Sequence, residues 1–130
     1  MRRFLIELPP CLPSIVALVV LFYFTLVPKP LPDMDVPLLN FDKVVHVIMM
    51  LSVYLTFAFD YTRRERQHRL PLTIRVVFLV IAVLLGGFIE LAQGTEIIHR
   101  GCDLYDFIAD AVGAIAGFFT ARRVMGYLIG

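Results

Sequence analysis

Asp106, Asp110, Gly113 and Gly117 follow one another at spacings of 4, 3 and 4 in a stretch that is otherwise almost wholly apolar. That spacing sets two carboxylates and two glycines on one stripe of a single helix. A carboxylate at the centre of a membrane helix costs about 2.5–3.5 kcal/mol on insertion scales. Such groups face a bundle interior or a wet cavity, and they mark a functional site by default. Two other apolar segments carry matching stripes: Asp42 with His46, and Gly86 with Glu90 and Gln93.

If the three stripes meet, several carboxylates gather beside one imidazole. A carboxyl next to a histidine is an acid–base pair suited to neutral pH. The same groups also make a buried hydrogen-bond network, and residue types alone leave both readings open. In the chemical reading Glu90, Asp106 and His46 exchange protons with a bound molecule. Asp42, Lys43, Gln93, Arg100 and Asp110 then hold it, with Lys43 and Arg100 suited to an anionic headgroup. His46, Glu90, Asp106 and Asp110 would suit a divalent ion by donor type. No local ligand spacing such as H-E-x-x-H is present, so neither a metal nor another cofactor is expected. Ser52 lies nearly three turns from Asp42 and no serine sits in a nucleophile elbow.

The elements that must position these residues are four apolar segments, at about 13–27, 42–59, 72–93 and 103–120. Of the 130 residues, 59% are hydrophobic, and the mean hydropathy is +0.82. Soluble domains run roughly 45–50% apolar. A bilayer core needs about 20 apolar residues, so the first and last segments are short and call for tilt or thinning. The expected fold is all-α: one integral membrane four-helix bundle spanning 1–130. The first segment follows Arg2 and Arg3 but runs into Pro28-Lys29-Pro30 without a small-x-small cleavage site, so it reads as an uncleaved helix. The glycines of Gly113-x-x-x-Gly117 allow close backbone approach, which lipid-embedded helices need because lipid supplies no hydrophobic drive between them.

Charge placement orients the bundle. Arg2, Arg3, Arg63, Arg64, Arg66, Arg69, Arg75, Arg122 and Arg123 fall on one side, nine of the 12 basic residues. Both termini and the Tyr61–Leu70 loop are therefore expected in the cytoplasm. The proline-rich Pro28–Phe41 stretch, expected to be extended, then faces outward, as does the connection ahead of Asp103. By rise per residue Asp110 lies about 10 Å below Asp103, so the polar stripes occupy the outer third of the bilayer. The arginine-rich loop suits anionic lipid headgroups. A net charge of +1 gives no support to a nucleic-acid partner. Cys11 and Cys102 fall on opposite sides and cannot form a disulfide.

The ordered set Asp42-Lys43-x-x-His46, Glu90-x-x-Gln93, Arg100, Asp106, Asp110, Gly113 and Gly117 resembles the VanZ-like family. That family's pattern reads roughly D-K-x-x-H, then E-x-x-Q, then R with a D-x-x-x-N-x-x-G-x-x-x-G helix. The resemblance covers about 42–117, and the four-segment layout agrees. It implies a multi-pass protein of the cytoplasmic (inner) membrane acting near the cell envelope, in a family associated with resistance to teicoplanin, a glycopeptide antibiotic. Its partners would be membrane lipids and a lipid-linked envelope molecule or a glycopeptide. Asp110 stands where the family usually has Asn, and Asp103 where a small polar residue is common. The leading expectation is an outward-facing pocket that binds or modifies an amphipathic envelope molecule. A non-catalytic assembly module is one rival, and a small transporter, which would need a homo-oligomer, is another.

Overall fold

A computed structural model describes residues 7–27, 38–65, 70–95 and 102–129. Arg100, His99 and the segment 28–37 lie outside the described residues, as does the stretch 66–69 of the arginine-rich loop. Four helices make up the fold: α1 (Leu12–Leu26), α2 (Leu38–Arg64), α3 (Leu72–Gln93) and α4 (Leu104–Ile129). The third matches its expected limits, and α1 is displaced by one residue at each end. The other two are longer than their apolar runs. α2 begins at Leu38, so residues 38–41 are helical rather than extended, and Asp42 lies a full turn inside its helix instead of starting it. At the other end α2 continues through Asp60 and Thr62, both buried. α4 runs nine residues past Thr120 and buries Ala121 and Met125. Polar residues on an inward face do not end a helix, although they do end an apolar run.

Helices α2, α3 and α4 are long and apolar enough to cross a membrane. α1 has 15 residues, about 22 Å at 1.5 Å per residue, short of the roughly 30 Å hydrocarbon thickness. Val76, Val80, Leu84, Phe88 and Leu91 line one side of α3 and are all exposed. Such a continuous apolar face suits lipid rather than water.

The most extensive interface joins α2 to α4, and glycines make it possible. A Cβ on Gly113 would strike the Val47 carbonyl oxygen and lie 3.1 Å from Met50 Cβ, and one on Gly117 would lie 2.6 Å from Tyr54 Cγ. The fully buried Tyr54 thus lies directly over Gly117. Its hydroxyl donates to the Arg75 carbonyl at 2.8 Å. The Arg75 guanidinium donates to the Phe118 carbonyl and stacks 4.1 Å from the Phe118 ring. α3 is therefore tied to both α2 and α4 near its start.

Contacts at the two ends fix the chain's path. Ser14, in the first turn of α1, meets Asp60 near the end of α2. Thr25, near the end of α1, meets Gln93 at the end of α3, while Glu90 and Lys43 both meet Asp103 at the start of α4. Successive helices are antiparallel, and the start of α1 and the end of α4 share one end of the bundle.

Candidate functional site

The three stripes meet at the end of the bundle where α2 and α4 begin and α3 finishes. α2 supplies Asp42, Lys43 and His46, α3 supplies Glu90, and α4 supplies Asp106 and Asp110, with Asp103 just before it. His46, Glu90, Asp106 and Asp110 are buried, at 3%, 3%, 8% and 1% exposure.

Asp103 organises the rim. As the residue before α4 it caps the helix, its Oδ1 accepting the Tyr105 N–H at 2.8 Å. Its own backbone N–H donates to Glu90 Oε2 at 2.9 Å. Its Oδ2 lies 3.4 Å from Lys43 Nζ, which also reaches Asp106 Oδ1 at 3.2 Å. The Tyr105 N–H holds the Asp103 carboxyl below its ordinary pKa against the opposing effect of burial, with the Lys43 ammonium adding to the lowering. A depressed carboxyl pKa means that this cap contributes fully above the unfolded value and is lost as pH falls through the lowered folded value.

Deeper in, His46 Nδ1 lies 3.0 Å from Asp110 Oδ1, and Nε2 lies 4.0 Å from Asp106 Oδ2. Gly86 leaves room for this pair, since a Cβ there would stand 3.0 Å from Asp110 Cβ and 3.2 Å from Asp110 Oδ2. Two buried oxygens, Glu90 Oε1 and Asp110 Oδ2, accept no hydrogen bond from any described residue. One donor atom each from His46, Glu90 and Asp110 lie within 4.8 Å of one another, and so do donors from Asp42, His46 and Asp106. Potential ligand atoms that no local spacing placed together are thus brought near one another from three helices.

Two site residues sit differently from expectation. Gln93 shares the buried face of α3, but its Nε2 donates to the Thr25 carbonyl at 2.7 Å, tying α3 to α1 instead of entering the carboxylate cluster. The Lys43 ammonium is engaged by Asp103 and Asp106 rather than standing free for an anionic headgroup. Arg100, given the same role, is outside the described residues.

Beside the cluster a groove of about 680 Å³ runs between α3 and α4. Leu84, Phe88, Leu91 and Leu104 form its apolar sides, and Glu90 and Asp103 its polar end. Those four apolar residues are exposed, so the groove opens on the lipid-facing surface.

Sequence reasoning missed a second polar site at the opposite end. Asp60 Oδ2 accepts the Ser14 N–H at 3.0 Å and the Ser14 hydroxyl at 2.5 Å, while Oδ1 lies 3.2 Å from Arg63. The same guanidinium donates to the Leu8 and Pro9 carbonyls. The residue before α1, Cys11, has a left-handed φ of 63° and makes no side-chain cap. Asp60 therefore caps α1 from another helix. A serine in a first helical turn and an acid three residues before an arginine are the only traces in the sequence.

The fold and site define an α-helical bundle with three membrane-length helices and a buried polar cluster near one end. Compared with family models, curated proteins and solved structures, this chain matches none.

Proposed function

We propose that this chain is a VanZ-like protein of the cytoplasmic membrane that binds an amphipathic, lipid-linked envelope molecule at an outward-facing site. The observation that carries this reading is the groove between α3 and α4. An apolar slot with carboxylates at one end has the polarity of an amphiphile: chain along Leu84 and Phe88, polar head beside Glu90 and Asp103. The lipid-facing opening lets such a molecule enter sideways from the bilayer. The orientation rests on the arginine bias, which sets the end bearing Arg63 and Arg75 in the cytoplasm. His46 with Asp106 and Glu90 then supplies proton-exchanging groups where the head would lie.

The second reading, a purely structural network, draws support from the Asp103 N–H bond to Glu90 Oε2. Glu90→Gln separates the two, because a glutamine oxygen still accepts that N–H but no longer carries charge. Gly87→Leu fills the groove, where an added Cβ meets only Phe107, at 3.6 Å. Cells lacking the gene, screened against envelope-directed drugs including glycopeptides, should show sensitivity confined to one drug class. Wild type should restore it, and Gly87→Leu and Glu90→Gln, present in the membrane at normal levels, should not. Full complementation by both variants would remove the proposal, and restoration by Glu90→Gln alone would move the polar head away from Glu90.

A further inference from the structure

We infer that His46, Glu90 and Asp110 form a binding site for a single divalent transition-metal ion. The inference deepens the proposed pocket and uses the same cluster, but its test needs no amphiphile.

Three features are consistent with an ion, and the first of them is what a closed hydrogen-bond network would not leave. The first is the pair of orphaned acceptors. Glu90 Oε1 and Asp110 Oδ2 are buried without a donor among the described residues, on side chains 97% and 99% buried by their 3% and 1% exposure. An unmatched buried carboxylate oxygen is costly, and a cation satisfies it directly. The second is distance. Two donors bound to one ion at about 2.1 Å stand about 3.0 Å apart at right angles, as around Mn²⁺, and about 3.4 Å apart at the tetrahedral angle of Zn²⁺. The His46 Nδ1–Asp110 Oδ1 contact of 3.0 Å, a hydrogen bond without the ion, is already within a few tenths of an ångström of either. Opposite donors span about 4.2 Å, so a pair at the 4.8 Å limit of this group closes by about half an ångström. The third is charge. Lys43 is already matched to Asp103 and Asp106. A dication would let Glu90 and Asp110 stand side by side in their ionised forms by neutralising both.

Donor chemistry selects the ion. One imidazole nitrogen with carboxylate oxygens favours Zn²⁺, Mn²⁺ or a neighbour in that row over the all-oxygen sites that hold Mg²⁺ and Ca²⁺. Asp106 Oδ2 lies 4.0 Å from His46 Nε2, too far for a hydrogen bond, so it adds charge beside the imidazole rather than a ligand. Gly86 belongs to the site as well, since any side chain there would press on Asp110 Oδ2.

The test uses full-length protein in detergent micelles, stripped with chelator and then given Mn²⁺ or Zn²⁺ alone. Mn²⁺ binding is read as loss of the free-ion EPR signal, and Zn²⁺ binding as a rise in the thermal midpoint. Wild type should take up one ion per chain. His46→Gln, Glu90→Gln and Asp110→Asn should each weaken binding by at least about tenfold, the least that losing even an outer-shell partner gives. Glu65→Gln, an exposed position on the far end, should bind like wild type. Each variant's melting curve without metal checks that it is folded. No uptake by wild type overturns the inference, as does equal uptake by the three variants. An infrared band of a neutral carboxylic acid that Zn²⁺ leaves unmoved overturns it too, by assigning the orphaned oxygens to a shared proton. A cation that binds while Gly87→Leu still complements would sink only the amphiphile reading, and the reverse pattern only the ion.

Discussion

Asp60 holds the start of α1 by doing what no residue adjacent to that helix does. Cys11 offers no acceptor to the first turn, and Asp60 supplies one to the backbone N–H of Ser14 from across the interface. The same carboxylate pairs with Arg63, so removing it breaks an ion pair as well as uncapping a helix end. Asp60→Ala should therefore destabilise the protein by about 2 kcal/mol or more, the sum of a lost helix cap and lost hydrogen bonds. Ser14→Ala loses one hydroxyl bond and keeps the backbone cap, so it should cost about 1 kcal/mol. Denaturant unfolding in micelles measures both. Equal costs would mean that the interhelical cap contributes nothing.

At the level of elements, the α2–α4 interface depends on what α4 lacks. Gly113 and Gly117 let the backbone of α4 approach Val47, Met50 and Tyr54, and Tyr54 in turn reaches Arg75 on α3. The carboxylates Asp106 and Asp110 lie on this same stripe, so the closeness of the helices also sets the His46–Asp110 distance. Gly117→Ala drives a methyl into the Tyr54 ring and should cost about 1–3 kcal/mol, as overpacking does. Gly126→Ala, where an added Cβ meets nothing within 4 Å, should be neutral or gain up to about 1 kcal/mol of helix propensity. Thermal midpoints of the two alanine variants should move in opposite directions or differ by several degrees. A shared midpoint would show that the contact at Gly117 yields freely.

For the whole molecule, the testable property is orientation, and the chain carries its own reporters. Cys11 and Cys102 are free and exposed, the first at the Asp60 end and the second beside Asp103. A membrane-impermeant maleimide added to intact cells should label Cys102 in a Cys11→Ser background. It should reach Cys11 in a Cys102→Ser background only after the membrane is opened. The opposite pattern would put the carboxylate cluster in the cytoplasm and end the outward-facing proposal. A 15-residue α1 does not cross a full bilayer unaided. It packs on α2 and α3 and is anchored at both ends, by Asp60 and by Gln93.

The sequence by itself determined the helices and the faces. A run of apolar residues broken at intervals of three and four can be satisfied only by a helix with one polar stripe. The burial of Gly86, Glu90 and Gln93 on α3, and of Asp106, Asp110, Gly113 and Gly117 on α4, was therefore legible from spacing. Helix ends were less so, because a hydropathy reading stops at Asp60 or Thr120 while the backbone continues wherever the polar side chain finds a partner. Only the tertiary structure decided the partners themselves. Spacing along one helix cannot say that Gln93 turns to Thr25, that Lys43 is held by Asp103 and Asp106, or that Asp60 caps α1. Each of those depends on distances of about 3 Å between atoms 40 or more residues apart in sequence, and those distances follow from how closely the helices pack.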